Sequence, residues 1–325
     1  MSRAVMTDQL GPAELYELRE VPPRALGPGQ VRVAIRAAGI SYVDVLTAEG
    51  RYQVKPPVPF CPGSEAAGVV SEVGEGVTHV AAGDRVSLSG WGGLFAEETV
   101  MPARAVQRLP EGMDFAEAAV FPVSYLTAWH ALVDRGQLKP GETLLVLGAG
   151  GATGYAAVQV GKHLGARVVA SASSEDKRAL ALAGGADAAV EARAEDWRDQ
   201  ITAANGGKPV DVVFDPVGGE GTDAAFRSLG WNGRHLVVGF PGGMTTLRTN
   251  LTLIKGASLI GVDIRQFGEF EPERAAANRA ETFRLAGEGV LRPAIAKRYP
   301  LEDFRAAMQE AGSGRSAGRI VLEMA

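Results

Sequence analysis

Residues 143–166, TLLVLGAGGATGYAAVQVGKHLGA, contain the pattern that decides the fold. A short apolar strand runs into a glycine-rich turn and then into an apolar helix, which is the context that a dinucleotide-binding fingerprint requires. The best register is A-x-G-x-x-G, a variant of G-x-G-x-x-G, in which the amides of the first helical turn and the helix dipole bind a diphosphate. A purely structural glycine turn is the alternative. The predicted contacts are Ala149, Gly150, Gly151, Ala152, Thr153 and Gly154.

The region from residue 143 to residue 264 alternates short apolar strands with helices. Strands are predicted at 143–147, 167–172, 210–214, 234–239 and 258–264, and helices at 152–164 and 175–183. Short buried strands that alternate with helices indicate βαβ units and a parallel sheet. We therefore expect an α/β fold whose nucleotide-binding part is a doubly wound parallel sheet of the Rossmann type.

The two ends of the chain have a different pattern. Residues 31–38, 66–73 and 84–89 have the composition of strands separated by loops, and residues 115–133 are helical in composition with a break at Pro122. Helices near 272–287 and 301–310 and a strand at 319–323 follow the parallel-sheet region. We expect a β-rich domain built from residues 1–122 and 265–325, with the nucleotide-binding domain at residues 123–264 between its two parts.

Composition narrows the class of protein. Of 325 residues, 46% are hydrophobic and 22% are charged, which is ordinary for a folded chain. The formal charge of −5 gives no global attraction to nucleic acid or anionic lipid, so neither partner is expected. The single cysteine, Cys61, excludes an internal disulfide and a Cys-rich structural zinc site. Because the start does not resemble a signal peptide and no apolar stretch reaches the length of a membrane span, we expect a cytoplasmic protein.

The segment after the second predicted strand bears on the choice between NADP and NAD. An NAD site usually has an acidic residue at the end of that strand, where it accepts a hydrogen bond from the ribose. Here the strand ends in small hydroxyl residues and a lysine follows, which suits a 2′-phosphate; the same serines can also cap the next helix. NADPH is therefore preferred over NADH. The predicted phosphate contacts are Ser171, Ser173, Ser174, Lys177 and Arg193.

Motifs along the whole chain resemble those of one family. In order they are PGQVRVAIRAAGISYVDVL, YQVKPPVPFCPGSEAAGVVSEVGEGV, GDRV, FPVSYLTAWHAL, GAGGATGYAAVQVGKHLGA, VDVVFDPVGG, GRHLVVGF, YPLEDFRAAM and AGRIVLE. With these motifs the chain resembles the zinc-independent quinone oxidoreductases of the medium-chain dehydrogenase/reductase superfamily. The resemblance implies a GroES-like, β-rich catalytic domain around a Rossmann domain, NADPH as the cofactor, and a homodimer that pairs through the last Rossmann strand near residues 258–264.

The positions that hold the catalytic zinc in related alcohol dehydrogenases carry serine in this sequence. The resemblance aligns the zinc-binding cysteine with Ser41 and the zinc-binding histidine with Ser64. Serine is a poor zinc ligand, whereas cysteine and histidine are standard ones. We therefore expect no metal site.

The resemblance also assigns site residues outside the glycine-rich turn. It places Ser41, where many family members have asparagine, near cofactor and substrate, and it places Tyr42 and Tyr52 beside the substrate. Either tyrosine hydroxyl could donate to a substrate oxygen; ordinary packing is the competing interpretation. Asp211 and Asp215, on one predicted strand, are expected in solvated or ribose-side positions. Further cofactor contacts, several of them at the carboxyl edge of the sheet where cofactors lie, are Thr127, Val217, Gly239, Phe240, Ile264 and Arg315.

These features predict hydride transfer from NADPH to a quinone or to another activated, α,β-unsaturated carbonyl compound. Such a reaction needs close face-to-face placement and exclusion of water rather than a Lewis acid. Two alternatives stay open: an enoyl- or acryloyl-CoA reductase on the same scaffold, and an NADPH-binding, crystallin-like protein with little turnover. The expected partners are a small-molecule substrate and a second copy of the chain.

Overall fold

The computed structural model describes residues 1–192 and 195–324. Its strands, in chain order, are β1 (Ser2–Met6), β2 (Glu17–Val21), β3 (Gln30–Ile40), β4 (Glu65–Val73), β5 (Arg85–Ser89), β6 (Glu98–Pro102), β7 (Val106–Arg108), β8 (Thr143–Leu147), β9 (Arg167–Ala172), β10 (Ala188–Glu191), β11 (Val210–Asp215), β12 (Leu229–Val237), β13 (Ser258–Gly261), β14 (Ile295–Pro300) and β15 (Arg319–Glu323).

The α-helices alternate with these strands most regularly in the middle of the chain. They are α1 (Tyr42–Ala48), α2 (Phe115–Ala118), α3 (Pro122–Trp129), α4 (Ala152–His163), α5 (Glu175–Ala183), α6 (Trp197–Ala204), α7 (Gly221–Ser228), α8 (Asn250–Lys255), α9 (Ile264–Phe270), α10 (Pro272–Gly287) and α11 (Phe304–Ser313). Short 3₁₀ turns lie at Ala13–Leu15, Ala103–Ala105 and Leu301–Asp303, and α3 continues into a π-helical segment, His130–Arg135.

A parallel sheet forms the middle of the chain, as the sequence predicts. Its strand order is β10-β9-β8-β11-β12-β13, and every neighbouring pair is parallel. This is the 3-2-1-4-5-6 order of the Rossmann fold, in which the chain reverses direction across the sheet beside the first strand. The predicted fold class is therefore confirmed.

Burial explains why β8 lies at the centre of this sheet. All five of its residues are buried. On one face, Leu145 and Leu147 share a core cluster with side chains of β9 and β11, and on the other face Leu144 and Val146 are fully buried. Each fully buried Val, Leu or Phe side chain contributes about 1.5–3 kcal/mol relative to an exposed one. The uninterrupted apolar run at 144–147 is therefore stabilised most between neighbouring strands and under helices on both sides.

The ends of the chain form a second, β-rich unit. Its main sheet has the order β14-β15-β3-β4-β5-β7, and β6 also pairs with β3. The long strand β3 alternates buried and partly exposed residues along much of its length, as the sequence pattern predicts for a strand with one face on the core. Helix α11 packs on this sheet through Phe304, Ala307 and Met308.

The structure divides differently from the sequence at one boundary. One unit comprises Met1–Val123 together with the chain from Arg292 onward, and the other comprises Ser124–Leu291. The sequence places the second boundary between residues 264 and 265, so α9 and α10 fall in the other unit. Contacts within the parallel-sheet unit explain this: Phe267 of α9 stacks on His130 with ring centroids 3.8 Å apart, and Asn278 of α10 donates to Asp134 at 2.7 Å.

No helix in the described part of the chain is both long and apolar enough to cross a membrane.

Candidate functional site

The glycine-rich turn has the geometry of a diphosphate-binding turn. Strand β8 ends at Leu147, Gly148 takes the left-handed conformation with φ 56°, and Gly151 is the N-cap of α4. A Cβ at position 154 would lie 2.8 Å from the carbonyl carbon of Gly148 and closer still to its oxygen. Glycine at 154 therefore lets the helix start against the strand end, and the first-turn N–H groups of α4 have no acceptor within the helix.

Lys177 lies against this turn. A Cβ at position 150 would be 2.6 Å from Cγ of Lys177 and closer still to its Cβ, so Gly150 makes room for the lysine stem. Lys177 belongs to the first turn of α5, whose N-cap Ser174 accepts from the Lys177 N–H at 3.4 Å. Ser173 and Ser174 are both exposed. The structure thus brings Lys177 to the glycine-rich turn, with Ser173 and Ser174 at the start of the same helix.

The Ser171 backbone also lies beside the turn, since its carbonyl accepts from the Ala149 N–H at 3.1 Å, but its hydroxyl has a different environment. Ser171 is buried within β9, and its hydroxyl oxygen accepts from the indole N–H of Trp197 at 2.9 Å. That oxygen is occupied by an interior side chain, so its placement does not support the predicted phosphate contact. Arg193 lies outside the described residues.

A second strip of predicted cofactor contacts lies at the carboxyl edge of the same sheet. Val217 packs towards the turn, since a Cβ at Gly148 would be 2.8 Å from Val217 Cγ2. The loops after β11 and β12 are joined by two backbone hydrogen bonds: Gly242 N–H donates to Val217 O at 2.8 Å, and Gly219 N–H donates to Gly243 O at 2.7 Å. Gly239 and Phe240 begin the second of these loops, so they lie near Val217.

The position of Asp215 corrects the expectation that it is solvated or faces the ribose. It ends β11, is 2% exposed, and accepts four hydrogen bonds within the interior. Burial alone would raise the pKa of Asp215, but donation from His235 and from the Gly218 N–H outweighs it and lowers that pKa. The sequence does contain a signal for this position. An Asp at the end of a strand can accept from the backbone N–H groups two and three residues later, and the segment after Asp215 is a turn that ends in Gly-Gly. Asp211 is half-buried and accepts from the Thr143 N–H at 2.7 Å.

The remaining predicted cofactor contacts are dispersed. Thr127 is buried on α3. Ile264, predicted as the end of a strand, is instead the first residue of α9, because β13 ends at Gly261 and Asp263 caps the helix. Arg315 is an exposed residue of the β-rich unit, just after α11.

In the β-rich unit, Ser41 is held by its own helix. It is the N-cap of α1: its hydroxyl donates to the Asp44 carboxylate at 2.6 Å and accepts from the Asp44 N–H at 3.1 Å. This capping box fixes the start of α1, and the Ser41 hydroxyl acts in it as both donor and acceptor. Tyr42, the next residue, is 38% exposed.

Beside α1 the same unit has a small, solvent-open pocket that the sequence did not reveal. Tyr52 stacks on Trp91 at its side, with ring centroids 6.5 Å apart and planes 26° from parallel. The pocket is walled by apolar side chains with three polar residues among them. Its side-chain lining includes Val43, Asp44, Thr47, Phe60, Ser64 and Trp91.

A buried ion pair lies at the start of β4. Glu65, the first residue of β4, is 1% exposed; its carboxylate accepts from Arg319 at 3.0 Å and from the Val123 N–H at 2.8 Å. Burial raises the pKa of Glu65, although the Arg319 charge and the Val123 N–H act in the opposite direction.

The described residues contain no cluster of metal ligands around Ser41 and Ser64. Over residues 1–192 and 195–324, no three His, Cys, Asp or Glu side chains are grouped so that they could hold a metal ion. The expectation that zinc plays no part rests on the chemistry of Ser41 and Ser64 and stays a prediction.

Comparison with known proteins places the chain in a family. The family model described as "Alcohol dehydrogenase GroES-like domain" matches residues 27–111, and the one described as "Zinc-binding dehydrogenase" matches residues 152–279. Quinone oxidoreductase-like protein 2 of Rattus norvegicus is 36% identical over 313 residues, which cover 94% of this chain and 88% of that protein.

Two further proteins are similar over nearly the whole chain. The pikromycin polyketide synthase component PikAII of Streptomyces venezuelae is 40% identical over 303 residues, which are 93% of this chain and 8% of that protein. The crystal structure of Escherichia coli quinone oxidoreductase complexed with NADPH has a TM-score of 0.89 and 28% identity, and the similarity covers 99% of each chain.

A GroES-like segment followed by a Rossmann sheet with this glycine-rich turn defines an oxidoreductase of the medium-chain dehydrogenase/reductase superfamily. Within that superfamily the chain belongs to the quinone oxidoreductase family. The turn, the lysine beside it and the edge formed by the 216–219 and 239–243 loops fit a nicotinamide dinucleotide, because the positions where a Cβ would block the backbone carry glycine.

Proposed function

We propose that this protein is an NADPH-dependent reductase of quinones and other activated α,β-unsaturated carbonyl compounds. The observation that carries the proposal is the glycine-rich turn with the Lys177 stem packed on Gly150. When bound, NADPH supplies a hydride, and a proton from solvent completes the two-electron reduction of the acceptor. The first-turn amides of α4 would hold the diphosphate, and Lys177 with Ser174 would hold the 2′-phosphate.

An exposed aromatic side chain beside α1 supports the choice of acceptor. Trp91 is 55% exposed and can stack on a flat conjugated ring, and the Thr47 hydroxyl, which lines the same pocket, can donate to a carbonyl oxygen. The test is NADPH oxidation at 340 nm with 1,4-benzoquinone and 1,2-naphthoquinone. Turnover with either supports the proposal. Tight NADPH binding without oxidation by any quinone or enone would favour the crystallin-like alternative instead.

The 40% identity to a polyketide synthase component favours one second candidate, an enoyl-thioester reductase. Both candidates use the same hydride donor, so the substrate decides between them. We would compare kcat/KM for acryloyl-CoA with kcat/KM for the quinones. A preference for the thioester would replace quinone reduction as the main assignment.

Replacing Lys177 with alanine tests the cofactor choice. K177A is expected to lower kcat/KM for NADPH by about tenfold to 100-fold, because a charged hydrogen bond contributes about 1.5–3 kcal/mol. The value for NADH should change little, since NADH lacks the 2′-phosphate. Lys162, in the last turn of α4 and paired with Asp187, provides the control variant K162A, which should affect neither cofactor. An equal loss with NADPH and NADH would contradict the assigned contact.

We further propose that the protein is a homodimer that pairs through β13. This strand is the edge of the parallel sheet, and exposed apolar side chains lie on it and near it, among them Leu259, Leu253 and Trp231. The Val262 N–H bonds to Val237 of β12, and N–H directions alternate along a strand, so the Leu259 N–H points away from β12. An open edge of this kind pairs readily with a second strand.

Leu259→Pro is therefore expected to give monomers. Proline at an outward-facing edge position removes one N–H from the free edge without removing a bond to β12. Leu259→Ala trims the side chain equally but keeps the N–H, and it should stay dimeric. Light scattering coupled to size-exclusion chromatography gives the mass. Dimers of L259P, or monomers of the unaltered chain, would refute pairing through this strand.

A further inference from the structure

We propose that Asp215 is a positioning residue for the nicotinamide cofactor, and that it acts by clamping the 216–219 loop against the glycine-rich turn. This inference rests on the proposed cofactor binding and goes beyond it. It assigns a role to an interior carboxylate, together with the hydroxyl and imidazole groups that hold it in place.

The carboxylate divides its two oxygens between two tasks. Oδ1 accepts from the Val217 N–H at 3.0 Å and from the Gly218 N–H at 2.8 Å, which folds the loop back over the end of β11. Oδ2 accepts from the Thr222 hydroxyl at 2.8 Å and from His235 Nε2 at 3.1 Å. One oxygen therefore shapes the loop, while the other anchors the carboxylate to α7 and β12.

The shape of this loop reaches the glycine-rich turn through Val217. A Cβ on Gly148 would lie 2.8 Å from Val217 Cγ2, so this side chain packs against the turn. The Val217 carbonyl accepts from the Gly242 N–H at 2.8 Å. Loosening the turn at Asp215 would therefore displace both the side chain beside the glycine-rich turn and the loop that begins at Gly239. Both lie at the carboxyl edge of the sheet, where a dinucleotide binds.

His235 determines which substitutions the clamp tolerates. It is fully buried, and its Nδ1 has no hydrogen-bond partner among the described residues. Its Nε2 carries a proton, because the carboxylate that it meets can only accept. In Asp215→Asn, the amide oxygen can still accept from the loop, but the NH₂ group then faces the His235 N–H. Either two donors meet in a buried space, or the imidazole proton moves to Nδ1, which has no acceptor in the described part of the chain; in both cases a buried N–H is left unsatisfied and the clamp is weakened.

The main variants are therefore D215N, H235Q and the double variant. D215N should raise the Kd for NADPH about tenfold, the size expected when a buried donor loses its acceptor. H235Q should bind NADPH nearly as the parent does, since its amide can donate to Asp215. D215N/H235Q should recover most of the affinity, because a glutamine oxygen can accept from the asparagine NH₂. Quinone turnover at saturating NADPH should change by less than about twofold in D215N, which separates KM from kcat.

Asp211 provides the matched control. It lies on the same strand, β11, and accepts from the Thr143 N–H at 2.7 Å. Thr143 begins β8, so this bond lies at the end of β8 that is away from the glycine-rich turn. D211N should lower the melting temperature without changing the Kd for NADPH. Binding is measured by titration of NADPH fluorescence, with melting curves for every variant.

The outcomes separate this inference from the proposed function. If the parent protein does not bind NADPH, the proposed function fails. If the parent binds NADPH and D215N binds it equally well, or if D215N/H235Q is no better than D215N, the inference is overturned. If D215N does not fold, Thr222→Val removes only the hydroxyl donor to Oδ2. In that case, an increase of about threefold or more in the Kd of T222V for NADPH supports the clamp, and a smaller change overturns it.

Discussion

Gly154→Ala is expected to weaken NADPH binding on the order of 100-fold and to lower the melting temperature. The added Cβ would lie 2.8 Å from the Gly148 carbonyl carbon, with the carbonyl oxygen closer still. Both atoms are backbone, so no rotamer change relieves the overlap, and α4 must move away from the end of β8. Such overpacking costs typically about 1–3 kcal/mol. The displaced amides would lose about two charged hydrogen bonds of about 1.5 kcal/mol each.

Gly151→Ala is the matched control in the same turn. A Cβ at 151 has Gly148 O as its nearest neighbour, at 3.3 Å, so a small shift accommodates it. G151A should keep its melting temperature but still bind NADPH less well, because position 151 is where the backbone approaches the pyrophosphate. Calorimetric titration and thermal melting separate the two effects. Parent-like affinity in G154A would show that the diphosphate does not bind at this turn.

The parts of the fold that local patterns specify could be predicted from the sequence. Apolar runs predict β8 and β9, a serine cap predicts α5, and a proline in the first helical turn predicts α10. The observed bounds of these four elements agree with the predicted ones. The glycine-rich turn was also predictable, since Gly148 and Gly154 are needed for backbone geometry that no larger residue allows.

The parts that depend on tertiary contacts could not be predicted. The sequence shows Ser171 as a small hydroxyl at a strand end, but only the fold brings Trp197 to it. It shows Asp215 as an acid on a strand, but its burial depends on His235, which is twenty positions further along the chain. Ile264 continues an apolar run, and the cap at Asp263 ends the strand sooner. For Ser171 and Asp215 the partner that determines the environment is distant in the sequence, and for Ile264 a helix cap next to it competes with the strand.

Glu65→Ala is expected to cost the protein about 3–5 kcal/mol, the usual effect of removing one partner from a buried ion pair. The substitution removes the carboxylate that Arg319 contacts at 3.0 Å and the acceptor of the Val123 N–H at 2.8 Å. Because Arg319 is only 6% exposed, water cannot replace the carboxylate easily. For a domain of this size the loss corresponds to a decrease in melting temperature of more than about 6 °C.

Two further variants test whether the ion pair is the cause. Asp114 pairs with Arg298 at 2.6 Å, and both side chains are 45% exposed, so D114A should cost less than about 1 kcal/mol. In E65L/R319M both charges are replaced by apolar groups of similar size, and most of the stability should return, because no uncompensated charge is left inside. Equal melting temperatures for E65A and D114A would mean that the buried pair contributes no more than a surface pair. A double variant as unstable as E65A would instead assign the loss to the unsatisfied Val123 N–H at the start of α3.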